Sequence, residues 1–189
     1  GNHPLSMNEL LSDEEIKKIL DMEIYYGYTT GDPKLLSAIA SWYPEKINES
    51  NVLVTNGSAE ANFLAGWTLI EPGDEVIMVL PNYMQVPGLA KNLGATVKTI
   101  SLKESLEWHL DLDELASTVT EKTKLISICN PSNPTGAVMT DDEMKSIAAI
   151  AEKHGAYVLS DEVYRGSELD GNETKSFLDF YDKSIVSCG

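Results

Sequence analysis

The sequence predicts an α/β fold: a mostly parallel sheet covered by helices on both faces, in three layers, with a helical arm ahead of it. Three observations carry this. Short apolar runs such as Val76-Ile77-Met78-Val79-Leu80 and Leu125-Ile126-Ser127-Ile128-Cys129 recur through the chain. Helical patterns alternate with them, and strands apolar on both faces belong to sheets sandwiched between helix layers. The first fifty residues lack such runs and carry a Tyr- and Gly-rich loop instead.

The arm comes first. Residues 12–24 are predicted as a helix capped by Ser12, with Ile16, Ile19 and Leu20 on one face. Residues 33–43 form a second, opened by Pro33, whose fixed φ suits a first helical turn. Between them lies Tyr25-Tyr26-Gly27-Tyr28-Thr29-Thr30-Gly31. Asn51-Val52-Leu53-Val54-Thr55 then reads as the first buried strand, followed by a helix over 58–70. Glu71-Pro72-Gly73-Asp74 is a turn into a strand at 75–80. A helix over 86–93 ends at Gly94, and residues 96–100 form the next strand. Residues 111–119 are helical, with Asp113 and Glu114 in the first turn, where the helix dipole favours negative charge. A strand at 124–129 follows. Thr140-Asp141-Asp142-Glu143 is a capping box opening a helix to 154, and strands at 156–160 and 183–187 complete the pattern. The expected division is 1–50 for the arm and 51–189 for the α/β unit.

Composition narrows the class. At 189 residues, 42% apolar and 23% charged, the chain is globular and of single-domain length. Thirty acidic side chains against fourteen basic leave a net charge of −16, which repels phosphate backbones and sets nucleic acid and anionic membranes aside as partners. No apolar run approaches the roughly 18 residues of a membrane span. The start shows no basic flank or apolar segment of a secretory signal, so the expected location is the cytoplasm. Cys129 and Cys188 accordingly read as small buried thiols rather than a disulfide, and the sequons at Asn48, Asn56 and Asn172 as chance. His3, His109 and His154 stand singly without metal-ligand spacing and read as surface or packing residues. The opening Gly1, and an end at Gly189 directly after a strand-like run, suggest a piece excised from a longer protein.

In open α/β sheets ligands bind outside the carboxyl ends of strands. After the 51–55 run comes Asn56-Gly57-Ser58-Ala59-Glu60-Ala61. Its bland reading is a turn and a helix cap; its functional reading is a phosphate on the free amides of Ser58 and Ala59. After the second strand, Tyr83 either lies over a planar ligand or packs between loop and helix. After the fourth comes Asn130-Pro131-Ser132-Asn133-Pro134-Thr135-Gly136, richer in proline and asparagine than a structural loop requires. After the fifth comes Ser160-Asp161-Glu162-Val163-Tyr164-Arg165. A carboxylate at the end of a buried strand is costly unless it meets a cation or hydrogen-bond donors; the alternative is a cap for the next turn.

Together these motifs resemble the class I/II aminotransferases that depend on pyridoxal 5′-phosphate (PLP), the aspartate-aminotransferase-like family of fold type I. The likeness runs from about Tyr26 to Gly189 and is most specific in the runs 130–136 and 160–164. It implies that the amides of Ser58 and Ala59, with the Ser58 hydroxyl, hold the cofactor phosphate. Tyr83 stacks on the pyridine ring, Asn133 and Tyr164 bond its phenolic oxygen, and Asp161 pairs with the protonated ring nitrogen. Tyr26, with Tyr28 as its rival, matches a tyrosine reaching the phosphate of a neighbouring subunit's cofactor, so a homodimer is implied. The family also requires a Schiff-base lysine soon after the strand at 183–187, and arginines for phosphate and substrate carboxylate. The lysine is expected beyond Gly189, and Lys183 precedes the strand rather than following it, so no catalytic residue is assigned. Residues 51–189 are thus expected to be an incomplete PLP-binding large domain. The implied activity is transfer of an amino group between an amino acid and a 2-oxo acid, with this chain alone inactive. Elimination as in C–S lyases, cyclisation or racemisation on the same fold, and a non-catalytic PLP-binding sensor domain are the alternatives.

Overall fold

The structure, a computed structural model, describes residues 4–169 and 171–189; His3 lies outside the described residues. The arm opens with two short helices, α1 (Met7–Leu10) and α2 (Asp13–Leu20), each started by a serine whose hydroxyl and backbone N–H donate to a glutamate three residues on. Neither helix buries a residue. The third, α3 (Pro33–Ala40), is capped by Asp32, which accepts from the Lys34 N–H at 2.9 Å, and buries Leu36 and Ala40. The predicted helices 12–24 and 33–43 therefore stop early, and α1 is an addition.

Residues 51–55 are not a strand. The run lies alongside the arm loop, with the Val54 N–H donating to the Thr30 carbonyl at 2.8 Å. A Cβ on Gly31 would come within 2.5 Å of Val54 Cγ2, so glycine is needed for that approach. An apolar β-branched run becomes a strand only where another strand is there to pair with it.

The remaining elements follow the predicted alternation: α4 (Ser58–Leu69), β1 (Glu75–Leu80), α5 (Gln85–Asn92), β2 (Thr96–Ser101), α6 (Leu112–Thr118), β3 (Thr123–Cys129), α7 (Asp141–His154), β4 (Tyr157–Asp161) and β5 (Ser184–Ser187). The sheet runs β2-β1-β3-β4-β5, with every pair parallel. The chain leaves β1 toward one edge and returns past it to β3. Right-handed crossovers then require α5 on one face and α6 and α7 on the other. The two cores obey this. Val76, Met78, Leu125 and Leu159 pack with Ala65 of α4 and with Val86 and Ala90 of α5. Ile77, Val79, Ile126, Ile128 and Val158 pack with Leu115 of α6 and with Met144, Ile147 and Ala151 of α7. The reversal leaves a crevice between the carboxyl ends of β1 and β3, the position where open α/β sheets bind ligands. Among the described residues no helix is long and apolar enough to cross a membrane.

Candidate functional site

Side chains alternate along a strand, so the face each residue serves is fixed by its register. Leu159 faces α4, and so does Asp161 two residues on, at the carboxyl end of β4. Its register partners are Cys129 on β3 and Ser187 on β5, which places the three side by side under α4. From α4 comes Asn62, only 3% exposed. Its amide Nδ2 donates to Asp161 Oδ2 at 3.4 Å, and the Ser187 hydroxyl donates to its Oδ1 at 2.9 Å. Asp161 Oδ1 accepts from the Val163 N–H at 3.2 Å. Among the described residues no lysine, arginine or histidine pairs with Asp161. It is a carboxylate held by donors, without a cation.

One turn earlier, α4 begins. Gly57 adopts φ +89°, left-handed backbone that favours glycine, and it leaves the helix start without a side-chain cap. Glu60 turns back to accept from the Asn56 N–H at 2.6 Å. Among the described residues no acceptor meets the amides of Ser58 and Ala59. Gln85 Nε2 donates to the Ala59 carbonyl at 2.7 Å and so ties this turn to the segment after β1 that carries the exposed Tyr83.

The loop after β3 divides its two asparagines. Asn130 is buried and structural: its Oδ1 accepts from the Met139 N–H at 2.9 Å, pinning the far end of the loop. Asn133 instead lines a cavity of about 750 Å³ together with Tyr164, and its backbone N–H faces the Cys129 sulfur. Burial pushes the Cys129 thiol up to about 11, with the neighbouring Asp161 charge adding to the effect. Cys129 is a free, buried thiol; Cys188 is also free and partly exposed. Tyr26 is 92% exposed, its ring edge-on to Tyr25 at 6.3 Å, and Tyr28 is exposed as well. Neither is buried against the sheet. His109 and His154 each meet a glutamate, Glu143 at 2.9 Å and Glu121 at 3.0 Å. Glu162, next to Asp161, turns away from this cluster: it accepts from the Phe177 N–H at 2.8 Å and the Ser176 hydroxyl at 3.1 Å, and burial raises its pKa.

Residues 5–189 match the family model for aminotransferase class I and II. The chain belongs to that family. A probable aspartate aminotransferase of Methanocaldococcus jannaschii is 35% identical over 181 residues, which is 93% of this chain and 48% of the relative. The tyrosine aminotransferase of Mus musculus is 32% identical over 170 residues, 85% of this chain and 37% of its own length. A PLP-dependent aminotransferase from Streptococcus suis superposes with a TM-score of 0.91 at 36% identity, covering 98% of this chain and 50% of that one. This aminotransferase-family chain thus spans at most about half the length of the relatives it matches. Asn62 and Ser187 went unnoticed in the sequence. An asparagine inside a helix and a serine inside a strand carry no local sign of burial; the available signal was that Asn62 stands one helical turn from Ser58.

Proposed function

We propose that this chain is the cofactor-binding part of a PLP-dependent enzyme that, as a whole protein, moves an amino group between an amino acid and a 2-oxo acid. The observation that carries the reading is Asp161, a donor-held carboxylate that meets no cation among the described residues, tied through Asn62 to the helix whose start is uncapped. The residues present fit the group at both ends. The open amides of Ser58 and Ala59, with the positive end of the α4 dipole, suit a phosphate. Asp161 supplies the opposite charge that keeps a pyridine nitrogen protonated. Tyr83 offers an exposed ring face, and Asn133 and Tyr164, which share one cavity that Asp161, Ser58 and Tyr83 do not line, would bond the phenolic oxygen. Bound PLP supplies an electron sink for charge developing at the substrate's α-carbon. The chain's own contribution is to bind the phosphate, orient the ring and hold the proton on its nitrogen.

The same reading divides the chain into an arm over 1–50 and a cofactor-binding unit over 51–189, in a cytoplasmic homodimer. Ile24, Tyr25, Tyr26 and Tyr28 are all exposed on the arm. A second copy would cover them and take Tyr26 to its own phosphate site. The test is a PLP titration followed by visible absorbance and tryptophan fluorescence. Asp161→Asn should weaken binding about 10- to 100-fold, as loss of a charged partner does. Unchanged affinity would overturn the reading.

A further inference from the structure

We infer that Asn62, anchored by Ser187, is a positioning residue that fixes the plane of the Asp161 carboxylate at the carboxyl end of β4. The inference rests on the reading of Asp161 given above, and adds to it the device that holds the group in place. The geometry leaves Asn62 a single amide orientation. Ser187 Oγ is 2.9 Å from Oδ1, and Asp161 Oδ2 is 3.4 Å from Nδ2. A flipped amide would set its oxygen against the carboxylate, two acceptors face to face with no proton between them. The acceptor-only carboxylate thus decides which way round the amide sits, and the Ser187 hydroxyl, hydrogen-bonded to its far end, acts on Asp161 at one remove by anchoring the Asn62 side chain in place.

The placement is economical. Ser58 and Asn62 are four residues apart and lie on one face of α4. One rigid helix thus presents its amide terminus to a phosphate and, a turn later, a donor to the carboxylate at the opposite end of the site. The relay also ties α4 to β4 and β5, so the distance between the two ends does not depend on a loop. Asn62 is nearly fully buried and Ser187 is 2% exposed, so both polar groups lie where an unmade hydrogen bond is costly. The titratable neighbours of Asp161 do not replace the donor. Cys129 is held in its neutral form, Glu60 is engaged with Asn56, Glu162 turns toward Ser176 and Phe177, and Tyr164 is a phenol 42% exposed.

The experiment follows the Asp161 side-chain carboxyl by carbon-13 NMR across pH in the cofactor-free protein, for wild type, Asn62→Leu, Ser187→Ala and Ser187→Thr. Loss of a donor to the ionised form should raise the Asp161 midpoint in Asn62→Leu. Ser187→Ala should raise it by less, and Ser187→Thr, which keeps the hydroxyl, should restore it. Thermal unfolding distinguishes this from misfolding, and Ser187→Ala decides the matter if Asn62→Leu does not fold. Midpoints indistinguishable from wild type in both Asn62→Leu and Ser187→Ala would overturn the inference. PLP binding separates the two levels. Where the relay holds, Asn62→Leu should also weaken PLP about tenfold. A moved midpoint with PLP affinity indifferent to Asp161→Asn would instead refute the cofactor assignment, and with it the purpose given to the relay. Loss of PLP in Asp161→Asn, with no change of midpoint or affinity in Asn62→Leu, would refute the relay alone.

Discussion

The arm and the sheet unit use the same local device with opposite consequences. Ser12 with Glu15 opens α2, and Thr140 with Glu143 opens α7, each by a reciprocal capping box. On α7 the helix that follows buries Met144, Ile147, Ala148 and Ala151 against the sheet; on α2 nothing is buried. A cap determines where a helix begins. Burial decides whether the helix adds to the stability of the molecule, since an isolated helix shorter than about 12–15 residues is marginal in water. At eight residues, α2 falls below that length. Its exposed Leu20, like the exposed Ile24 and Tyr26 after it, is apolar surface of the kind that suits a protein interface.

The largest expected effect contrasts truncations in the two regions. Ile126 lies on β3, paired on both sides, and is 0% exposed. Ile126→Ala should cost about 3–4 kcal/mol through lost burial and the cavity left behind. Leu20→Ala, at 78% exposure, should cost nothing resolvable. Urea unfolding of both variants checks this. A comparable loss in Leu20→Ala would mean that the arm packs onto the unit in solution.

This contrast also explains what could be read in advance. Strands β1, β3 and β4 were legible because each is a short, largely apolar run between helical patterns, a signal that needs no knowledge of the partner strand. Residues 51–55 carry the same signal and form no strand, since the existence of a neighbour is not written in the run itself. Helix α1 was missed because four residues are too few to show a period. At the site, Asp161 stood out as a carboxylate at the end of a buried strand, and Asn133 through the proline and asparagine richness of the loop after β3. Asn62 and Ser187 did not, because their meeting depends on the β4–β5 register and on how α4 lies across it. Nothing local states either.

A smaller effect comes from two neighbours inside the unit, Asp161 and Glu162. Glu162 is 2% exposed; burial raises its pKa above the usual 4.5, although the Phe177 N–H, the Ser176 hydroxyl and the Arg165 charge pull the other way. The folded protein therefore holds the Glu162 proton more tightly than the unfolded chain does. Its contribution to stability is fully present below the unfolded pKa and is lost as pH rises through the raised folded one. Glu162→Gln keeps the oxygen that accepts from Phe177 and removes the charge. It should be more stable than wild type at pH 8, with the gap closing toward pH 4. Denaturant unfolding at several pH values measures it. A gap that is constant with pH, or that favours wild type at pH 8, would show that the donors around Glu162 outweigh its burial.

The smallest effect is the most direct test of the arm against the unit, because the chemistry removed is the same in both. In Thr140→Ala the hydroxyl that accepts from the Glu143 N–H at 3.2 Å and donates to its carboxylate at 2.9 Å is lost. The α7 start is part of the cooperative unit, so the cost should appear in global unfolding at about 1 kcal/mol. Ser12→Ala removes the matching pair, an N–H bond of 3.4 Å and a hydroxyl–carboxylate bond of 2.7 Å. The α2 helix shares no buried side chain with the sheet, so it opens before the unit does, and its cap energy is absent from the global transition. Ser12→Ala should therefore leave the urea midpoint unchanged and instead speed hydrogen exchange of the α2 amides. If a second copy covers the arm as proposed, the same substitution should weaken association slightly, by the cost of reordering α2. An equal loss of global stability in Ser12→Ala and Thr140→Ala would erase the distinction between the regions, since α2 would then unfold together with the sheet.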